Sequence, residues 1–168
     1  MIRFLGGFAA GGLLLVVCVL GYLRLGLLEI RSDVPVPPWM NRVLSLSTHA
    51  AVKRHAPELV SSAPQSDETM IAGGKIYLDD CVGCHGEPGK PPSAFGASFF
   101  PPAPQFFSVG TTFSESQVFA IAKHGIRRTG MGAQGNTYTD EKLWALTSFI
   151  KHLPNLPPSV SEGIQAKK

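Results

Sequence analysis

Two cysteines and a histidine lie within five residues of each other, in the order Cys81-Val82-Gly83-Cys84-His85. This C-x-x-C-H pattern is the attachment signature of a c-type haem. Each thiol can form a thioether with one vinyl group of the porphyrin, and the adjacent histidine is then held against the iron as its proximal ligand. The spacing therefore predicts one covalent haem c, attached through Cys81 and Cys84 and ligated by His85.

Three other kinds of chemistry use a Cys-x-x-Cys pair. A thioredoxin-like redox disulfide needs a buried strand before the motif, whereas residues 67–80 have a helical pattern. A structural zinc site needs two more Cys or His ligands at tight spacing, and the remaining cysteine, Cys18, lies far upstream in an apolar run. A plain structural disulfide stays open as the simplest alternative.

The N-terminal part of this 168-residue chain has the pattern of a membrane anchor. Residues 4–23 contain no charged side chain, and a helix of this length at ~1.5 Å per residue reaches roughly 30 Å, enough to cross a bilayer core. No small-x-small cleavage site follows the run. We therefore predict an uncleaved transmembrane helix over residues 4–23, within an anchor at residues 1–32.

Residues 33–66 are predicted to form a Pro-rich linker that contains one short amphipathic helix. Apolar residues recur at helical spacing between residues 39 and 56, with basic residues on other faces. Two positions for this helix stay open. It can pack its apolar side on the following domain, or it can lie on a membrane with Trp39 among the headgroups.

Residues 67–153 have the pattern of a small all-α domain. Helices are predicted over residues 67–80, 114–124 and 139–153, and no run alternates with a period of two. Six prolines between residues 88 and 104 predict an ordered loop without helix or strand. The remaining residues, 154–168, are predicted to be a flexible C-terminal tail.

Charge excludes one class of partner. Residues 66–153 contain eight acids and seven bases, a net charge of −1, so the overall +3 comes from the flanking segments. Nucleic-acid binding needs a concentrated basic face, and we expect none here.

With these motifs, residues 67–153 resemble a class I c-type cytochrome, of the monohaem, membrane-anchored bacterial kind. Members of that family have a glycine eight residues before the first haem cysteine and an aromatic residue four before it, the positions of Gly73 and Tyr77. The resemblance implies that the first helix crosses the last one closely at Gly73. It also implies that a proline carbonyl accepts a hydrogen bond from His85, with four candidates: Pro91, Pro92, Pro101 and Pro102.

The segment 125–131 resembles the glycine-rich loop that presents the distal methionine in small bacterial cytochromes c. Met131 is the only methionine after the haem motif, 46 residues past His85, so the resemblance makes it the second axial ligand of the iron. Family members often have proline after this methionine, where this chain has Gly132. His124 is the competing ligand and His152 a remoter one. The haem propionates have three candidate partners: Arg127, Arg128 and Tyr138.

These features together predict a periplasmic electron carrier, not an enzyme. Haem attachment in bacterial c-type cytochromes takes place outside the cytoplasmic membrane, so the N-terminus is expected inside and the haem domain in the periplasm. The iron would cycle between Fe(II) and Fe(III) with His/Met ligation, exchanging electrons with unidentified redox partner proteins. Two alternatives stay open: a dedicated subunit of a respiratory or dehydrogenase complex, and a haem enzyme or gas sensor with an open iron site.

Overall fold

The structure, a computed structural model, describes residues 2–31, 33–56, 61 and 63–165. Across these residues it consists of nine α-helices joined by turns and loops, without a strand. The predicted all-α class is therefore confirmed. The chain divides into two compact units, Met1–Val34 and Pro35–Lys168.

The first unit is built around helix α1, Ile2–Arg24. Its segment Gly6–Arg24 has a mean hydropathy of 2.1 and no buried residue. By length and composition this helix could cross a membrane, in agreement with the span predicted over residues 4–23.

The second unit begins with α2, Pro38–His55, which corresponds to the predicted amphipathic helix. Proline is tolerated in the first turn of a helix, where its missing N–H would have no partner. Helix α2 packs against α7, Glu115–His124, and the His49 ring stacks on Phe113 with 4.8 Å between centroids. One side of α2 therefore contacts the haem domain, although none of its residues is fully buried.

A single helical segment carries the haem motif. It consists of α3, Asp67–Ile76, a π-helical turn at Tyr77–Cys81, and α4, Val82–His85. Ser66 begins it by accepting a hydrogen bond from the Thr69 backbone N–H at 3.3 Å, as a side-chain N-cap does. The predicted helix over 67–80 is confirmed and extends to His85.

Helix α8, Asp140–His152, is the centre of the core, because every residue from Leu143 to Ile150 is buried. Helix α3 crosses it at Gly73, where an added Cβ would lie 2.0 Å from the Ala145 carbonyl oxygen. Only glycine permits this approach. The expected close contact between the first and last helices of the domain is confirmed.

Two short helices lie in or near the Pro-rich segment, α5 at Ala94–Ala97 and α6 at Phe106–Val109. The prediction of a helix-free loop over residues 88–104 is therefore corrected at α5. Ser93 explains that helix, because its hydroxyl accepts from the Gly96 N–H at 2.9 Å and caps it.

The C-terminal segment corrects the prediction of a flexible tail. Helix α8 continues into a 3-10 turn at Leu153–Asn155, and α9 follows at Pro158–Gln165. Val160 and Ile164, one turn apart, are buried, and α9 packs on α3. Pro158 is the first residue of α9, and proline is compatible with a helix start. The apolar pair Val160 and Ile164, at i and i+4, is the signal that the sequence prediction overlooked.

Candidate haem-binding site

The three predicted haem residues lie at the end of the α3–α4 segment. Cys81 ends the π-helical turn, and Cys84 and His85 lie in α4. Both cysteines are half-buried, and no disulfide joins them. Burial first, and then the nearby charges of Asp80 and Cys84, raise the pKa of the Cys81 thiol to about 12.

His85 is oriented by a carbonyl of the Pro-rich segment. Its Nδ1 donates to the Pro104 oxygen at 2.9 Å, which places the ring proton on Nδ1 and leaves the Nε2 lone pair for a metal. Phe106 stacks on the imidazole at 4.6 Å between centroids. Burial lowers the pKa of His85 and so favours the neutral, ligating form.

The hydrogen-bond acceptor is a correction to the sequence analysis, which considered four prolines but not Pro104. Pro104 is the last proline of the segment, 19 residues after His85. Nothing in the local sequence distinguishes it from its neighbours. The path of the chain through α5 decides which carbonyl reaches the imidazole.

Gln105 ties the haem motif to the same segment, and the sequence analysis missed it. Its Nε2 donates to the Cys84 carbonyl at 2.9 Å and to the Ala103 carbonyl at 3.0 Å. Its Oε1 accepts from the Ser93 N–H at 2.9 Å. These contacts link α4 to the segment that contains α5. The two helices also approach closely, because an added Cβ at Gly96 of α5 would lie only 1.9 Å from the Cys84 oxygen.

Tyr77 supports α4 from the core side. Its side chain is fully buried, and its hydroxyl donates to the carbonyls of His85 at 3.1 Å and Gly86 at 2.9 Å. Burial raises the pKa of Tyr77 well above its usual range, so the phenol keeps its proton. The aromatic residue at this position therefore satisfies the last carbonyls of the motif helix as well as packing in the core.

Met131 lies in a loop that is closed by hydrogen bonds of its own. Ile126 N–H donates to the Met131 carbonyl at 2.9 Å, and Met131 N–H donates to the Thr129 hydroxyl at 3.1 Å. Gly125 has a φ of 66°, and a Cβ there would lie 2.7 Å from the Met131 oxygen. At Gly132, where family members often have proline, an added Cβ would meet nothing within 4 Å.

Each of the remaining candidates, for iron ligation or for contact with the haem propionates, has its own surroundings. His124 ends α7 and is exposed, as are Arg127 and Arg128. Tyr138 donates its hydroxyl to the Asp80 carboxylate. This bond, followed by partial burial and the acidic neighbours, raises the pKa of Tyr138 to about 12, and it occupies the hydroxyl that the sequence analysis assigned as a candidate propionate partner.

The donor set fits a covalent haem c. Two cysteine side chains that no disulfide joins and an imidazole with an available Nε2 share about one turn of helix, which is the arrangement that thioether attachment and proximal ligation need. Within the described part of the chain, no group of three or more His, Cys, Asp or Glu side chains could hold a metal ion, so the zinc alternative finds no support.

Comparison with known families agrees with this chemistry. The family model described as "Cytochrome C oxidase, cbb3-type, subunit III" matches residues 68–150, just under half of the chain and nearly all of the segment 67–153. No curated protein and no solved structure matches the chain. Residues 68–150 are a class I c-type cytochrome domain, which binds covalent haem c and serves haem-based electron transfer.

Proposed function

We propose that this protein is a membrane-anchored monohaem cytochrome c that transfers electrons in the periplasm. Two features support this role: the cytochrome domain at residues 68–150 and the apolar helix α1, which is long enough to span a bilayer. Helix α1 is then a single-pass anchor in the bacterial inner membrane, with its N-terminus inside. The haem, when bound, supplies an Fe(II)/Fe(III) couple, and the protein performs no substrate chemistry of its own.

The hydrogen bond from His85 Nδ1 to the Pro104 carbonyl is the observation that carries the proposal. Metal-ligating histidines commonly donate their second ring N–H to a carbonyl, which fixes the tautomer and raises the basicity of the ligating nitrogen. His85 is thereby prepared as the proximal ligand. Cys81 and Cys84, on the same turn, form the thioethers.

Met131 is the proposed distal ligand. Its backbone N–H and carbonyl are both hydrogen-bonded within the loop, to Thr129 and Ile126. A methionine ligand raises the reduction potential relative to a second histidine and closes the sixth coordination position. A closed position favours electron transfer over oxygen or peroxide chemistry.

The test is Met131→Leu in the full-length holoprotein. Loss of the methionine sulfur should abolish the weak red absorption band of an iron–sulfur(Met) bond and let the reduced protein bind CO rapidly. Met70→Leu, which changes a buried methionine of α3, is the matched control and should keep the band. Absence of the band in the folded wild-type protein would refute His/Met ligation. Rapid CO binding by the reduced wild-type protein would then favour an enzyme or sensor with an open iron site.

A second candidate is a dedicated electron-transfer subunit of a larger respiratory complex. The matching family is named for a subunit of a cbb3-type cytochrome c oxidase, and this observation favours the candidate. Purification from native membranes in mild detergent separates the two roles. Stoichiometric co-elution with oxidase or dehydrogenase subunits supports the subunit role, whereas elution of the chain by itself supports the tethered carrier.

A further inference from the structure

Helix α2 has two faces with different surroundings. Helix α2 packs on α7, and its partly buried residues Ser45, Thr48 and Val52 fall on one side of the helix. His49 also contacts the domain, through its stacked ring pair with Phe113. Among the residues that the structure describes, the haem domain therefore covers one face of the helix and leaves the opposite face exposed.

The free face is apolar. Trp39, Val43, Leu46 and Ala50 are spaced four, three and four residues apart, and at about 100° per residue they fall within an arc of about 60°. Trp39 and Leu46 are each 65% exposed and Val43 is 56% exposed. These four residues are called the apolar stripe here. A contiguous exposed apolar surface marks an interaction site, unlike a single exposed leucine.

Basic residues border the apolar stripe, and α2 contains no Asp or Glu. Arg42 and Lys53 lie on one side of the stripe and Arg54 on the other, all of them exposed. An apolar stripe between cationic side chains, with tryptophan on it, is the composition of helices that lie in the headgroup region of a bilayer. The positive border complements anionic lipid.

The chain keeps α2 close to a membrane. Helix α1 ends at Arg24 and α2 begins at Pro38, and the intervening segment at ~3.5 Å per residue spans at most about 50 Å. A surface helix on so short a tether binds the bilayer at a high effective concentration. This favours lipid over a protein partner that must diffuse to the stripe.

We propose that the apolar stripe and its basic border seat α2 in the anionic bilayer that α1 crosses, so that α2 positions the haem domain at the membrane surface. The inference rests on the anchoring function proposed above. It adds that the domain does not swing freely on its linker, because the other face of α2 is packed on that domain.

Hydrogen exchange of the full-length holoprotein, with one chain per nanodisc, tests the inference. Discs of phosphatidylglycerol with phosphatidylcholine are compared with discs of phosphatidylcholine alone. Amides of residues 39–55 should exchange at least about tenfold more slowly in the anionic discs, since each basic residue near such a surface adds to binding. High salt should reduce this difference.

Two variants separate lipid contact from helix stability. Val43→Glu puts a carboxylate on the apolar stripe and should abolish the lipid-dependent slowing. Asn41→Glu puts the same charge on the same helix, about 160° away from Val43. This variant should retain the lipid-dependent slowing of exchange. An unchanged Soret spectrum shows that both variants keep the haem domain intact.

The outcomes separate this inference from the anchoring function. Slow amide exchange of α1 in both kinds of disc would support α1 as the membrane anchor, independently of the exchange rates of α2. Equal exchange of α2 in both discs, or equal effects of the two Glu variants, would overturn the proposal and point to a protein partner for the stripe.

Discussion

At the scale of single residues, the site depends on hydrogen bonds that arrive from outside the C-x-x-C-H motif. Pro104 orients His85, Gln105 holds the Cys84 carbonyl, and Tyr77 holds the carbonyls of His85 and Gly86. The motif supplies the reactive atoms, whereas these hydrogen-bond partners orient the groups that carry them. A ligand that is oriented before the metal binds loses less freedom on binding.

Gln105→Leu should therefore weaken the site without touching a haem ligand. The change leaves the Ser93 N–H and the Cys84 carbonyl without their side-chain partner, which should cost about 2 kcal/mol of unfolding free energy. Denaturant unfolding of the holoprotein measures the loss. Gln165→Ala, at the exposed end of α9, is the control and should have little effect; equal stability of both variants would contradict the role of Gln105.

Tyr138 gives a prediction for pH. Its pKa in the folded protein, about 12, is raised chiefly by the hydrogen bond to Asp80, whereas the unfolded value is about 10. The folded state thus binds the phenolic proton more tightly, and the resulting stability is present below about pH 10 and lost as pH rises towards 12.

Asp80→Asn should lower the pKa of Tyr138 towards its unfolded value, because it removes both the charged acceptor and the nearby carboxylate. NMR of the reduced protein with labelled tyrosine rings follows this ionisation, and Tyr138→Phe identifies the signal. A Tyr138 resonance that titrates at the same pH with and without Asp80 would disprove the assigned cause.

At the scale of elements, the site is held by the crossing of α3 and α8. Gly73 brings the two backbones into contact, and this position determines where the α3–α4 segment places Cys81, Cys84 and His85. Helix α9 then covers α3 with Val160 and Ile164. Each element is short, so its stability comes from this packing more than from its own helix propensity.

Gly73→Ala should destabilise the domain by about 2 kcal/mol or more, although alanine is the better helix former. The added methyl group would lie 2.0 Å from the Ala145 carbonyl oxygen, so the helices must separate. Thermal unfolding measures the effect. Ala72→Gly, at an exposed position of the same helix, should cost only about 1 kcal/mol of helix propensity, and an equal or larger loss in this control would refute the packing argument.

At the scale of the whole molecule, the chain separates an apolar helical unit from a unit that contains both α2 and the cytochrome domain. The large exposed apolar side chains are concentrated in α1 and α2, whereas those of α3, α8 and α9 are buried or half-buried. This distribution suits a protein whose N-terminal part meets lipid and whose remaining part folds around a cofactor.

Replacing residues 1–34 with a cleavable export signal should leave haem attachment and the visible spectrum unchanged, because the cytochrome unit lies outside that segment. Salt alone should release the shortened protein from the membrane fraction, whereas release of the full-length protein should need detergent. The reason is that only a spanning helix inserts in an effectively irreversible way. Fractionation followed by haem staining measures both. A full-length protein that leaves the membrane fraction with salt alone would show that α1 is not the anchor.

The sequence alone predicted the chemistry of the site, because covalent haem attachment depends on a local spacing, and Cys81, Cys84 and His85 have that spacing within five residues. It also predicted α1, α2 and the three main helices of the domain, since apolar periodicity and caps such as Ser114 are local signals. Ligation by Met131 stays a prediction.

Only the tertiary structure decided which partners orient the site. Pro104 is one of six prolines in its segment and Gln105 carries no distinguishing pattern, so their contacts with His85 and Cys84 arise from the route of the chain through α5. Helix α9 likewise exists because α3 offers a surface for Val160 and Ile164. Contacts between residues distant in sequence depend on how the helices pack, and local spacing does not encode that packing.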